Sequence, residues 1–180
     1  MATLSEALKE AYASAPTAKT ILHTLEFRHD SFLDELGNPT AVRVVLDHED
    51  LTATLEDDAP MNAGEAVLFQ KGHFDFALPE QSDNSALPEI VISVDNATRL
   101  LMPYLDAAIE GGGSIEVTYR AYLSDDLTGP ETDPPLTLTI NQIDVNLSTV
   151  EARATFGDFA NRRFPGVDYD AASWPGLAAL

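Results

Sequence analysis

This chain offers few side chains for chemistry. It has no cysteine, which removes thiol nucleophiles, thiolate metal sites and disulfides. The four histidines, His23, His29, His48 and His73, are scattered. No two stand four apart, as the ligands of a helical zinc site do. His23 falls on the apolar side of an alternating run, where a packed core histidine is the expectation. His48-Glu49-Asp50 closes another run and reads as a solvated turn.

Gly111-Gly112-Gly113-Ser114 resembles a phosphate cradle, but such loops place glycines ahead of a helix so that free N–H groups meet the anion. Here a helical pattern precedes the glycines and a strand pattern follows, so they stop a helix. Asp125, Asp126, Glu131 and Asp133 could offer oxygens to calcium. Their spacing fits no known loop, and Pro134 and Pro135 point to simple stiffening. Gly-x-Ser-x-Gly is absent, and no motif pairs a serine with a histidine base. Among 30 acids, carboxylate pairs are too common to mean anything. The reading is not an enzyme: no catalytic residue, cofactor-binding residue or metal ligand is assigned.

The chemistry that remains is adhesion. The chain carries a net charge of −20, yet Phe159 to Gly166 holds two arginines and no acid. Arg162, Arg163, Phe164 and the only tryptophan, Trp174, form the candidate partner interface. Aromatic and arginine side chains are enriched at interface cores while acidic ones are depleted. Residues 161–180 therefore read as an arm that docks, either on a neighbouring copy or on its own domain.

The elements that would carry this arm follow from periodicity. At 180 residues the length favours one domain, placed over 1–160, with a core large enough to need no staples. Leu4, Ala7, Leu8, Ala11 and Tyr12 make one helical stripe, with Thr3 and Glu6 as a capping box and Pro16 as the stop. Thr20 to Arg28 alternates as a half-buried strand, with Ile21, His23, Leu25 and Phe27 on one face and Leu22, Thr24, Glu26 and Arg28 on the other. Further strands are read at Val42–Leu46, Leu51–Leu55, Glu65–Leu78 as one long strand with a bulge at Gly72, Pro88–Val94, Ser114–Leu123, Leu136–Val145 and Val150–Phe156. Asn96 caps a second helix bearing Leu100, Leu101, Tyr104, Leu105 and Ala108, in which Pro103 predicts a kink. Strands in runs favour antiparallel sheets. The expected fold class is α+β, mainly an antiparallel β-sandwich or split barrel of about 7–8 strands with two helices.

A sequence pI near 4.2 argues against binding duplex DNA, whose phosphates it would repel. It does not argue against a surface past which DNA slides. No basic segment followed by an apolar run opens the chain, and no stretch suits a membrane span.

Several stretches together resemble a family of tailed-phage and prophage proteins catalogued as a domain of unknown function. They are Met1–Pro16, Ile21–His29, Val42–Glu56, Pro103–Ala108, Val117–Pro130 and Ala154–Pro165. The likeness covers nearly the whole chain, and departs from the family pattern at Asp57–Lys71, where extra residues lengthen a loop, and after Gly166. It implies a minor tail protein similar to the distal tail rings of long-tailed phages: a tail-tube-like core flanked by a helix, assembled as a hexameric ring that joins tail tube to tip or baseplate. The implied partners are copies of itself, the tail tube protein, the tail hub and tip proteins, and the tape measure protein. DNA would pass through the lumen without specific nucleic-acid binding, and the location would be the virion tail tip, after synthesis in the host cytoplasm. The alternatives are a trimeric hub or tip component of the same tail, and a host-surface glycan-binding β-sandwich module.

Overall fold

A computed structural model describes residues 3–4, 6, 9, 19–77, 89–95, 101–146 and 149–156. These residues are mostly β with one helix, consistent with the α+β class. The helix is α1 (Met102–Gly111), and the strands are β1 (Thr3–Leu4), β2 (Ile21–Leu33), β3 (Pro39–Leu46), β4 (Leu51–Thr54), β5 (Ala66–Gly72), β6 (Phe74–Ala77), β7 (Glu89–Asp95), β8 (Ile115–Leu123), β9 (Thr132–Asp133), β10 (Leu136–Val145) and β11 (Thr149–Thr155). Nine of the strands make one open sheet in the order β4-β5-β3-β2-β8-β10-β11-β7-β6, while β1 and β9 pair separately.

Pairing in this sheet is antiparallel except between β3 and β5, where Val44 to Leu46 run parallel to Gln70 to Gly72. The sheet is therefore mixed. The expected single strand over Glu65–Leu78 is also corrected. It divides at Gly72 and His73, because β5 sits beside one margin of the sheet and β6 forms the other. One residue links the strand beside one margin to the strand at the other, so the sheet must coil. Gly72 permits this by close approach: a Cβ there would lie 2.5 Å from Val44 Cγ1.

The coil encloses one large core. Leu25 and Phe27 of β2, Val42 and Val44 of β3, Ile90, Ile92 and Val94 of β7 and Ile140 of β10 pack there with Leu101, Leu105 and Ala108 of the α1 segment. Pro103 does not kink α1. It occupies the first turn, where its missing N–H has no helical acceptor to lose. The helix ends as expected at the glycines: Gly112 takes φ 67° and its N–H donates to the Ala108 carbonyl at 2.9 Å. Asn96 and Leu100 lie outside the described residues.

Of the first expected helix, Thr3 and Leu4 pair instead with Asp133 and Thr132. Glu6 and Lys9 are helical, and the rest lies outside the described residues.

The reading of β2 as half-buried is overturned. Its second face is covered too, by a smaller core of Leu22, Val45, Ala53, Leu55, Ala59, Val67, Phe69 and Tyr122. Charged residues lie on that same face.

Candidate functional site

The densest chemistry among the described residues lies beneath the loop joining β4 to β5. Strand parity puts Glu26 and Arg28 of β2, Arg43 of β3, and Glu116 and Arg120 of β8 on one face. Register then pairs them: Glu26 stands opposite Arg43, Arg28 opposite Glu116, and Thr24 opposite Arg120. Opposite charges directly across strands stabilise a sheet. Three of the chain's ten cations converge here.

Glu26 is the hub. Its Oε2 accepts from Arg43 Nε at 2.7 Å and its Oε1 from Arg28 Nη1 at 3.1 Å. Arg120 Nη1 faces the same Oε1 at 3.5 Å, an ion-pair contact without a hydrogen bond. Glu26 and Arg120 are both 0 % exposed. Arg120 also donates from Nε and Nη2 to both Glu56 oxygens at 2.7 Å, the bidentate fork that makes such pairs strong. The other Arg28 nitrogen, Nη2, reaches Glu116 Oε2 at 3.1 Å. Arg43 Nη2 reaches Asn62 Oδ1 at 2.8 Å, and Asn62 Nδ2 donates on to Glu65 Oε2 at 2.8 Å.

The covering loop is shaped for this task. Leu55 and Ala59 anchor it in the smaller core. The Glu56 carbonyl accepts from the N–H groups of Ala59 at 3.2 Å and Gly64 at 3.0 Å. Asn62 adopts φ 56°, a left-handed turn that asparagine tolerates better than most residues. Below it, Tyr122 donates to the Thr54 carbonyl at 3.0 Å, and burial pushes the Tyr122 hydroxyl pKa upward. Burial would also raise the Glu56 carboxyl, but the Arg120 hydrogen bonds and charge outweigh it and leave the pKa below its ordinary value.

This lattice ties three strands and a loop together. Glu26, Glu56 and Glu116 are each engaged by a guanidinium, and Glu65 by the Asn62 amide. Beside it opens a cleft of about 550 Å³ whose walls include Arg28, His29, Asp30 and Glu116 together with Pro60 and Met61. Arg28 is held by its two glutamates, and His29 Nδ1 accepts from the Ser31 N–H at 3.1 Å.

The residues weighed for chemistry in the sequence are placed as follows. His23 Nδ1 lies 2.7 Å from the Tyr119 hydroxyl, edge-on to Phe76, and burial lowers its pKa. It is the packed histidine expected. His48 is exposed, its N–H capped by Asp47, with the His73 ring 6.1 Å away. Asp125 bridges Lys19 at 2.7 Å, and Asp126 accepts from the Thr128 N–H and hydroxyl, so two of the four loop acids fasten the chain. Arg162, Arg163, Phe164 and Trp174 lie outside the described residues.

Sequence reading missed the lattice. One signal could have found it: Glu26, Arg28, Arg43, Glu116 and Arg120 share a strand parity, in a chain poor in cations.

No curated protein matches the chain. Residues 7–169 match the family described as Domain of unknown function (DUF1833); that span takes in the lattice, its covering loop and every strand of the nine-stranded sheet, and the chain belongs to that family.

Proposed function

We propose that this protein is a structural, non-enzymatic subunit of a phage tail tip. Copies of it close into a distal-tail-type ring of six that joins the tail tube to the tip hub around the DNA channel. Its coiled sheet is then a tail-tube-like sandwich or split barrel. The observation that carries this reading is the internally matched lattice. Its three arginines are matched by Glu26, Glu56 and Glu116, so these six charges cancel. The charge of −20 is left to the rest of the chain.

A strongly acidic subunit suits a conduit. Carboxylates around a hole repel phosphates and keep an exiting genome from sticking. Head-to-tail contacts between identical subunits close a ring when the rotation per step closes. The sequence resemblance to phage minor tail proteins supports the same conclusion.

The test is the mass and symmetry of the full chain, alone and mixed with tube protein, by native mass spectrometry and electron microscopy. A closed ring with a carboxylate-lined hole is expected. Three-fold particles would instead favour the hub. A subunit that stays monomeric at every concentration, with no copies in the virion, would overturn the reading.

A further inference from the structure

Six large hydrophobic side chains are exposed among the described residues. Single exposed apolar residues are ordinary. Four of these six, however, belong to one end of the sheet. At that end Arg28 pairs with Glu116 and Ile140 with Ile115, the first residue of β8, so both β2 and β10 overrun β8. Leu33 and Leu36 lie on the β2 overrun and its hairpin, and Val145 lies on the β10 overrun. The helix α1 finishes at the same end, since Gly111 lies against Ser31 of β2, and it brings Ile109, 81 % exposed. Between α1 and β10 runs a groove of about 360 Å³ whose walls include Leu105, Ile109, Ile140, Asn141, Ile143 and Val145. Leu105 and Ile140 belong to the large core, so the groove is a bare extension of it.

Where the chain goes next decides what covers it. Thr155 ends β11, and its side-chain oxygen accepts from Asn141 Nδ2 at 3.0 Å, in the wall of the groove. Residues 157–180 therefore begin beside it. From Asn141 to Val145 the wall runs about 13 Å along the strand, and six extended residues span about 20 Å. Thr155 stands opposite Thr139 and Val150 opposite Val145, so β11 runs away from the far end of the groove and the chain must turn back to lie over it. Gly157 and Asp158 are turn-forming types at the place where that turn is needed. The next residues suit an apolar groove: Phe159 and Phe164 are large aromatics, and Phe159 to Gly166 contains no acid. A tethered segment meets its own groove at an effective concentration on the order of mM, roughly a thousand-fold above that of another copy's segment in a micromolar solution.

We propose that residues 159–164 fold back over the α1–β10 groove of their own subunit, with Phe159 and Phe164 against Ile109, Ile143 and Val145. The tail is then an intramolecular cap that keeps this apolar groove from other partners. The contact forms within one subunit and does not depend on the ring reading.

Disulfide trapping in the full chain tests it, because there is no native cysteine to interfere. Ile109→Cys and Phe164→Cys in one chain, under mild oxidation, should close a disulfide within the monomer at a rate that dilution does not change. The comparison pair is Leu68→Cys with Phe164→Cys. Leu68 is also exposed, but it lies on β5, separated from β10 by β3, β2 and β8. The Ile109 pair should close ten-fold faster or more. In a second measurement, Phe159→Ser with Phe164→Ser should uncover the groove and raise the fluorescence of an apolar-surface dye (ANS) several-fold, at unchanged far-UV circular dichroism. Equal closing rates for the two cysteine pairs would overturn the cap, since a tail that settles nowhere reaches both. A disulfide that forms only between chains, faster at higher concentration, would give the groove to a second copy and overturn it too. Unchanged dye fluorescence in the folded serine variant would show that these two phenylalanines cover nothing, with the same consequence.

Discussion

Two regions of this molecule invert the usual rule for burial. Beneath the β4–β5 loop, Glu26, Arg43 and Arg120 are charged and covered. At the end where β2 and β10 overrun β8, Leu33, Leu36, Ile109 and Val145 are apolar and bare. The covered charges are matched by opposite charges within the subunit, so their role is internal: they clamp a loop to a sheet. The bare apolar side chains gain nothing from water, and covering them would be favourable. The first region ties a loop to a sheet, and the second leaves apolar area facing water.

The contrast breaks most sharply at Glu26. Glu26→Ala leaves three guanidiniums around an empty place, and removing one partner of a buried ion pair costs about 3–5 kcal/mol. Leu36→Ser, at the bare end, should stay within about 0.5 kcal/mol of wild type. Urea unfolding of both variants checks this, and equal losses would erase the distinction between the regions.

A smaller effect is expected at Tyr122. Tyr122→Phe keeps the ring against Phe69 but frees the Thr54 carbonyl, a loss of about 1 kcal/mol. The same unfolding measurement reads it, and hydrogen exchange at residues 55–65 should rise with it.

Acid should separate the regions more gently. Glu56 has a folded pKa below its ordinary value of 4.5, so the stability it gives is present above that pH and fades as pH falls through the lowered value. His23 is also lowered, from 6.5, by burial. Its contribution is full above 6.5 and declines as pH drops from there toward its folded value. Thermal unfolding followed downward from pH 7 should show a shallow decline below 6.5 and a further one below 4.5. His23→Gln should remove the first and keep the second. A flat profile in both would mean that neither group is held as described.

Much of the fold was legible in the residues. Alternation located most of β2, β3, β8, β10 and β11, the glycines after α1 marked its end, and His23 was read as packed. Pro103 misled because its effect depends on where a helix starts: within a helix it kinks, and in the first turn it fits. Gly72 misled for a related reason. A glycine within an apolar run signals a bulge or a close approach, and only the position of Val44 selects the second.

The candidate site was legible in pieces but not as a whole. Residues 26, 28, 43, 116 and 120 could be read as polar positions of alternating strands, and a polar face of an antiparallel sheet is normally given to water. What the sequence determined by itself is parity: which side chains share a face, where strands stop, and that cations are too few to match the acids. Only the tertiary structure decided which face is covered, because that depends on a loop about thirty residues away in the chain folding back over β2, and on β5 and β6, near opposite margins, meeting through one residue. Period-two alternation is a local property of the backbone, whereas burial is set by whatever distant segment comes to lie on top.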